Sequence, residues 1–102
     1  MKKTYCVLVR FEIQKDDFQC LISLIKIFFA TEVSPSPGFI SSQIITNEDK
    51  STVINYATWE SKEEFEKFAQ EIVSKSKISK KIEVFKPVRE TFYEYEFLPK
   101  RK

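Results

Sequence analysis

The chain contains no histidine. That absence removes the imidazole base of Ser-His-Asp and Cys-His catalysis, the common zinc sites and a histidine-ligated haem. Glycine occurs once, so a glycine-rich phosphate cradle is excluded as well. There are two cysteines, and the spacing of Cys6 and Cys20 matches no metal or redox motif; both read as buried thiols in a reducing compartment. An excess of one charge is also missing. Seventeen Lys/Arg against fifteen Asp/Glu leave a formal charge of +2, with the signs interspersed, so the balance gives no basic face for nucleic acid. The densest basic stretches, Lys75 to Lys81 and the tail Lys100-Arg101-Lys102, read as solvated surface. Long apolar runs are lacking too. Tyr5 to Val9 is too short for a signal-peptide core, and Leu21 to Ala30 is too short to span a bilayer and contains Lys26. A soluble, cytoplasmic protein with no membrane partner is expected.

What remains is ample apolar material. Hydrophobic residues make up 42% of the chain and ten phenylalanines raise the aromatic share to 15%, enough to pack an interior. A length of 102 residues predicts one domain, with a core over about 4–98 and a basic tail at 99–102.

Thr4 to Ile13 reads as a strand, with Tyr5, Val7, Val9, Phe11 and Ile13 on one face and Cys6 and Leu8 on the other. Asp16 and Asp17 suit a helix N-terminus, and Phe18, Leu21, Ile22, Ile25, Phe28 and Phe29 follow at helical spacing. Ser34-Pro35-Ser36-Pro37-Gly38 ends that helix. Strands are predicted over Phe39 to Thr46 and Thr52 to Trp59, joined by the polar turn 47–51 into an antiparallel hairpin. Ser61 to Glu64 has the capping-box pattern, and Phe65, Phe68, Ala69, Ile72 and Val73 give a second amphipathic helix. The remainder holds Ile82 to Phe85, a break at Pro87, and a last strand from Thr91 to Leu98 carrying Tyr93, Tyr95 and Phe97 on one face. The order is strand, helix, two strands, helix, strand. That is the ferredoxin-like α+β arrangement, a four-stranded antiparallel sheet with two helices on one face.

Neither face of this sheet reads as polar. Cys6, Leu8, Ile54 and Tyr56 lie on one; Val7, Val9, Val53, Ala57 and Trp59 lie on the other. An apolar sheet face left in water exceeds what soluble monomers tolerate, so a homodimer through the sheet face is expected, with the tyrosines of the last strand in its interface.

The run from Pro37-Gly38-Phe39 through Asn55-Tyr56-Ala57-Thr58-Trp59-Glu60-Ser61 to Phe65 resembles the antibiotic biosynthesis monooxygenase family. In that family a Pro-Gly-Phe turn leads into the second strand. The third strand ends in Asn-Tyr-x-x-Trp, and a serine and acidic residues open the second helix. The resemblance implies a dimeric α+β barrel with a cavity in each subunit, and a cofactor-independent, metal-free oxidation of a small aromatic or polyketide-like ring. It places the catalytic residues at Asn55 and Trp59, with Phe65, Phe28 and Val9 in the substrate pocket. The two lie four residues apart on one strand face, so their Cα atoms are about 13 Å apart and meet opposite ends of a flat ligand. Asn55 can hydrogen-bond a phenolate or a developing peroxide, and the indole N–H of Trp59 can donate as well.

The chain departs from the family at Phe65, where ring-oxidising members carry a tyrosine. The Lys80–Lys81 neighbourhood matches a basic residue after the second helix only loosely. The missing histidine sets aside the haem-degrading branch. Other readings stay beside the oxygenase. Trp59 also fits as core packing, and the whole chain also fits as a non-enzymatic dimer that binds a hydrophobic ligand or a partner. An RNA-recognition domain shares the element order, but the basic-Gly-Phe signature of its third strand is absent here. For Arg10 the sequence leaves two places, paired with Glu12 at a rim or directed into a pocket.

Overall fold

The computed structural model describes residues 3–95. β1 (Lys3–Glu12) leads through a 3₁₀ turn at Lys15–Asp17 into α1 (Phe18–Phe28), which runs on as a π-helical turn at Phe29–Val33. β2 (Phe39–Thr46) and β3 (Thr52–Trp59) follow, then α2 (Lys62–Glu71), α3 (Lys77–Glu83) and β4 (Val88–Tyr95). The strands form one antiparallel sheet in the order β2-β3-β1-β4, with the helices on one face. This is the expected ferredoxin-like α+β fold, with one helix more than the sequence predicts.

The alternation of β1 decides which face is covered. Tyr5, Val7 and Phe11 are buried under the helices, and α1 answers with Leu21, Ile22 and Ile25. Asp16 and Asp17 lie in the 3₁₀ turn ahead of α1, and neither carboxylate caps it; their contribution is charge near a helix N-terminus. At α2 the capping prediction holds, for Ser61 Oγ accepts the N–H of Glu64 at 3.1 Å. Gly38 sits at φ +88° and its carbonyl accepts from Glu60 N–H at 2.7 Å. A Cβ there would lie 2.5 Å from Cβ of Glu64, so the lone glycine is required both by its conformation and by the close approach of α2.

Three expectations are corrected, and one helix is added. The lysines of the basic stretch from Lys75 to Lys81 are exposed, as expected, but Lys77, Lys80 and Lys81 stand on a helix that the sequence pattern does not announce: Lys77–Glu83 is α3, capped by Ser76 Oγ accepting from Ser79 N–H at 3.0 Å. Ile78, Ile82 and Phe85 pack into the cluster around Phe11, Leu21 and Ile25, while the lysines face water. β4 begins at Val88, directly after Pro87, not at Thr91; the predicted continuation to Leu98 lies outside the described residues. Tyr93 is on the helix face, 5.3 Å from the Tyr5 ring, so it is not part of the open face, where Phe92 and Glu94 stand instead. Of the two cysteines Cys6 is buried but Cys20 is exposed. Arg10 takes the first of its two places, paired with Glu12 in water. No helix among the described residues is long and apolar enough to cross a membrane.

Candidate functional site

The register arranges the covered face of the sheet in rows. Phe39, Trp59, Tyr5 and Tyr93 align across the four strands as an aromatic row. The next row is Ser42, Ala57, Val7 and Thr91, and the one beyond it Ile44, Asn55, Val9 and Arg89. Small residues in the middle row cannot reach the helices. A cavity of about 240 Å³ opens there between sheet and helices.

One end of this cavity is aromatic. Trp59 is 1% exposed and lies within 5.1–5.6 Å of the rings of Phe68, Phe65 and Phe39. Phe28 and Phe29 continue the wall from α1. The π-helical turn takes in one more residue than an α-turn, with Ser34 N–H bonded to Phe29 carbonyl at 2.8 Å. Val33 is thereby buried on the cavity, and Glu32 is turned aside to accept from Ser76 Oγ at 3.0 Å.

The other end is polar. Asn55 is 6% exposed, and its Oδ1 has no hydrogen-bond partner, alone in this among the buried side-chain atoms of the described residues. An unpaired buried acceptor costs roughly 1–3 kcal/mol, so this amide is poorly explained as core packing. Ser79 and Glu83, one turn apart on α3, line the same cavity together with Arg89 of β4. Arg89 Nη2 donates to Glu83 Oε2 at 3.2 Å, with both side chains about half exposed at the cavity rim. A pair in that setting is worth at most about 1 kcal/mol.

The predicted site residues Asn55, Trp59, Phe65, Phe28 and Val9 all line this cavity. Phe65 brings no hydroxyl to it; Ser79 carries the one aliphatic hydroxyl on the wall. Sequence reasoning missed Ser79, Glu83 and Arg89. The Ile78, Ile82 and Phe85 spacing could have found α3, and the alternation of Arg89 with Thr91 and Tyr93 could have placed the arginine. Lys80 and Lys81, the loose candidates for a basic site residue, are exposed on α3 and absent from the lining. A larger, open depression of about 590 Å³ lies between the turn after α1 and α2, lined by charges of both signs such as Glu32, Glu71, Lys67 and Lys75. It holds no unpaired buried group, which makes it a solvated groove.

The model of the antibiotic biosynthesis monooxygenase family matches residues 4–73, from β1 to the end of α2. The chain belongs to that family. Solved structures similar to it carry the likeness through α3 and β4. The ActVA-Orf6 monooxygenase of Streptomyces coelicolor, solved with nanaomycin D, is 17% identical with a TM-score of 0.72, over 95% of this chain and 93% of that one. SnoaB of Streptomyces nogalater, a cofactor-independent oxygenase, is 14% identical with a TM-score of 0.65, over 97% of each chain. The haem-degrading protein Rv3592 of Mycobacterium tuberculosis is 16% identical with a TM-score of 0.71, over 98% of this chain and all of the other. At these identities the likeness is one of fold. No curated protein sequence matches the chain significantly. The family match ends before α3, so Ser79, Glu83 and Arg89 lie outside it.

Proposed function

We propose that this monooxygenase-family chain oxidises a small phenolic ring with dioxygen, without metal or flavin, in the cavity of Asn55 and Trp59. The carrying observation is the unpaired Asn55 Oδ1 in an otherwise apolar, ring-lined space. A buried acceptor is satisfied by an O–H on the ligand, either a phenol or a hydroperoxide formed on its ring. The aromatic wall sandwiches the ring system, and Trp59 shapes that wall. The cavity is smaller than the roughly 300–1,000 Å³ of pockets for drug-sized ligands, which favours a flat system of at most three fused rings.

The chemistry balances without an added reductant. A ring CH₂ beside the phenol loses a proton to give a stabilised carbanion. That carbanion transfers electrons to dioxygen and forms a C–O bond as a hydroperoxide. Loss of water breaks the O–O bond and leaves a carbonyl, so CH₂ and O₂ become C=O and H₂O. Asn55 holds the oxygen atoms through these charge changes, a role whose removal costs on the order of 10²-fold at comparable sites. Oxygen uptake with 1,4-dihydroxynaphthalene and with anthrone, measured over the uncatalysed rate, tests this. Asn55→Ala is expected to lose at least about ten-fold; unchanged turnover would remove the assigned role.

Phe65 favours a second reading. Phe65 brings no hydroxyl to the cavity, and Tyr5, the neighbour of Trp59 in the aromatic row, is not part of its lining, so the cavity also suits binding without turnover. Ring ligands that bind by calorimetry and never consume oxygen would decide for it.

We also infer a homodimer across the open sheet face. Leu8 and Ile54 are half-buried there, and Ile45, Val88 and Phe92 are 48–60% exposed. Among the described residues that face carries Glu12, Glu90 and Glu94 against Arg10 alone, which disfavours an RNA backbone. Light scattering at micromolar concentration checks the dimer, and a 12.1 kDa species would overturn it.

A further inference from the structure

We propose that the cavity is selective for an aromatic acid, whose anionic group is received at the rim by Arg89 with Glu83 as the exchangeable counter-ion. The proposal rests on the cavity being a ligand site and adds to it the charge of the ligand.

Three observations carry it. First, Asn55, Val9 and Arg89 are successive residues of one cross-strand row on the covered face. Two strand spacings separate Asn55 from Arg89, about 10 Å between Cα atoms. A two-ring molecule with a hydroxyl at one end and a carboxylate at the other spans that row. Second, the guanidinium is only partly engaged. Among the described residues Arg89 makes a single polar contact, Nη2 to Glu83 Oε2 at 3.2 Å, which leaves the other donors of its planar fork for a bidentate carboxylate. Third, the counter-ion is cheap to displace. Glu83 is 50% exposed and regains water when released, whereas an anion seated in the rim lies partly against the apolar wall, where a charge-assisted bond is stronger. Glu83 thus acts as a positioning residue. It holds the long arginine side chain at the mouth until a ligand anion replaces it.

The arrangement also explains an asymmetry of the wall. The apolar end would accept any flat ring, so discrimination must come from the polar end. There Asn55 reads a hydroxyl, and Arg89 reads a charge.

The test is calorimetric titration of the intact protein with 6-hydroxy-2-naphthoate and with its neutral isostere 6-hydroxy-2-naphthamide, at pH 7.5 and low salt. The acid is expected to bind at least about ten-fold more tightly than the amide. Arg89→Gln should abolish that ratio while leaving the amide unchanged. Glu83→Gln, which frees the guanidinium, should tighten the acid several-fold and leave the amide alone. Circular dichroism of both variants, altered only at the rim, checks that they fold. Equal affinity for acid and amide, or an equal loss of both in Arg89→Gln, would overturn the proposal. Failure of both compounds to bind would overturn it together with the cavity reading. Arginine-dependent binding of the acid, with no oxygen uptake from anthrone or 1,4-dihydroxynaphthalene, would sink the oxygenase reading and leave the acid site standing. Oxygen uptake without charge discrimination would do the reverse.

Discussion

The two faces of the sheet are made from alternate residues of the same four strands, yet they carry different chemistry. On the covered face Tyr5, Val7, Ala57 and Trp59 are nearly excluded from water, and the space they leave is a cavity with one unpaired amide. The open face places Cys6, Leu8, Ile54, Tyr56 and Phe92 beside charged Glu90 and Glu94. Three of its polar groups are paired with each other: Tyr56 Oη donates to Glu94 Oε1 at 2.8 Å, and Cys6 Sγ lies 3.2 Å from that hydroxyl. The buried polar atom left unsatisfied among the described residues is on the covered face, the one proposed to bind. On the other face Tyr56, Glu94 and Cys6 satisfy one another beside exposed apolar area.

The largest expected effect contrasts the two faces directly. Trp59→Ala should cost about 3–5 kcal/mol in denaturant unfolding, because it empties the space among three phenylalanine rings. Phe92→Ala on the open face should cost under about 1 kcal/mol as measured on the monomer. If a second copy covers that face, the Phe92 variant should also weaken the dependence of the unfolding midpoint on protein concentration, because a looser dimer leaves more of the protein monomeric. Equal costs for the two substitutions would break the comparison.

Next in size is Gly38→Ala, which forces a side chain into a left-handed backbone and against Glu64. A loss of about 2 kcal/mol or more is expected. The aromatic row should loosen with it, seen as a red shift in the emission of the single tryptophan. A smaller change, of opposite sign, is expected for Asn55→Leu. Replacing an orphaned amide by an apolar side chain of similar size should raise stability by about 1 kcal/mol while abolishing ligand binding. A destabilised Asn55→Leu would mean that the amide is structural after all.

The smallest effect is chemical. Burial raises the pKa of the Cys6 thiol from its ordinary value, and the nearby Glu94 adds to the rise. The hydroxyl of Tyr56 is raised too, by its hydrogen bond with Cys6 and by burial. A raised thiol pKa means less thiolate at a given pH, so Cys6 should react slowly with a disulfide reagent at pH 8 and faster only as pH increases. Exposed Cys20 should give the fast phase, and Cys20→Ser should remove it. Two equally fast thiols would show the open face to be looser than described.

Most of the fold was legible because its strands and first two helices carry clean periodicities. The Ser61 cap, the Gly38 turn and the face shared by Asn55 and Trp59 were readable from local pattern. The third helix was not, because its lysines mask an Ile78–Ile82–Phe85 stripe too short to stand out. The side of β4 was not legible, because alternation fixes which residues share a face and says nothing about which face is covered; Tyr93 therefore lies under the helices beside Tyr5, and not on the open face.

By itself, the sequence determined which residues share a strand face or a helix stripe, since that follows from backbone periods of two and of 3.6. It determined also that no histidine chemistry is available. Only the tertiary structure decided that small Val7 and Ala57 leave a hollow, that Asn55 Oδ1 ends there without a partner, and that Arg89 and Glu83 meet at its rim. Those facts depend on pairing register and on helices packed across the sheet, and on volumes that no local pattern encodes.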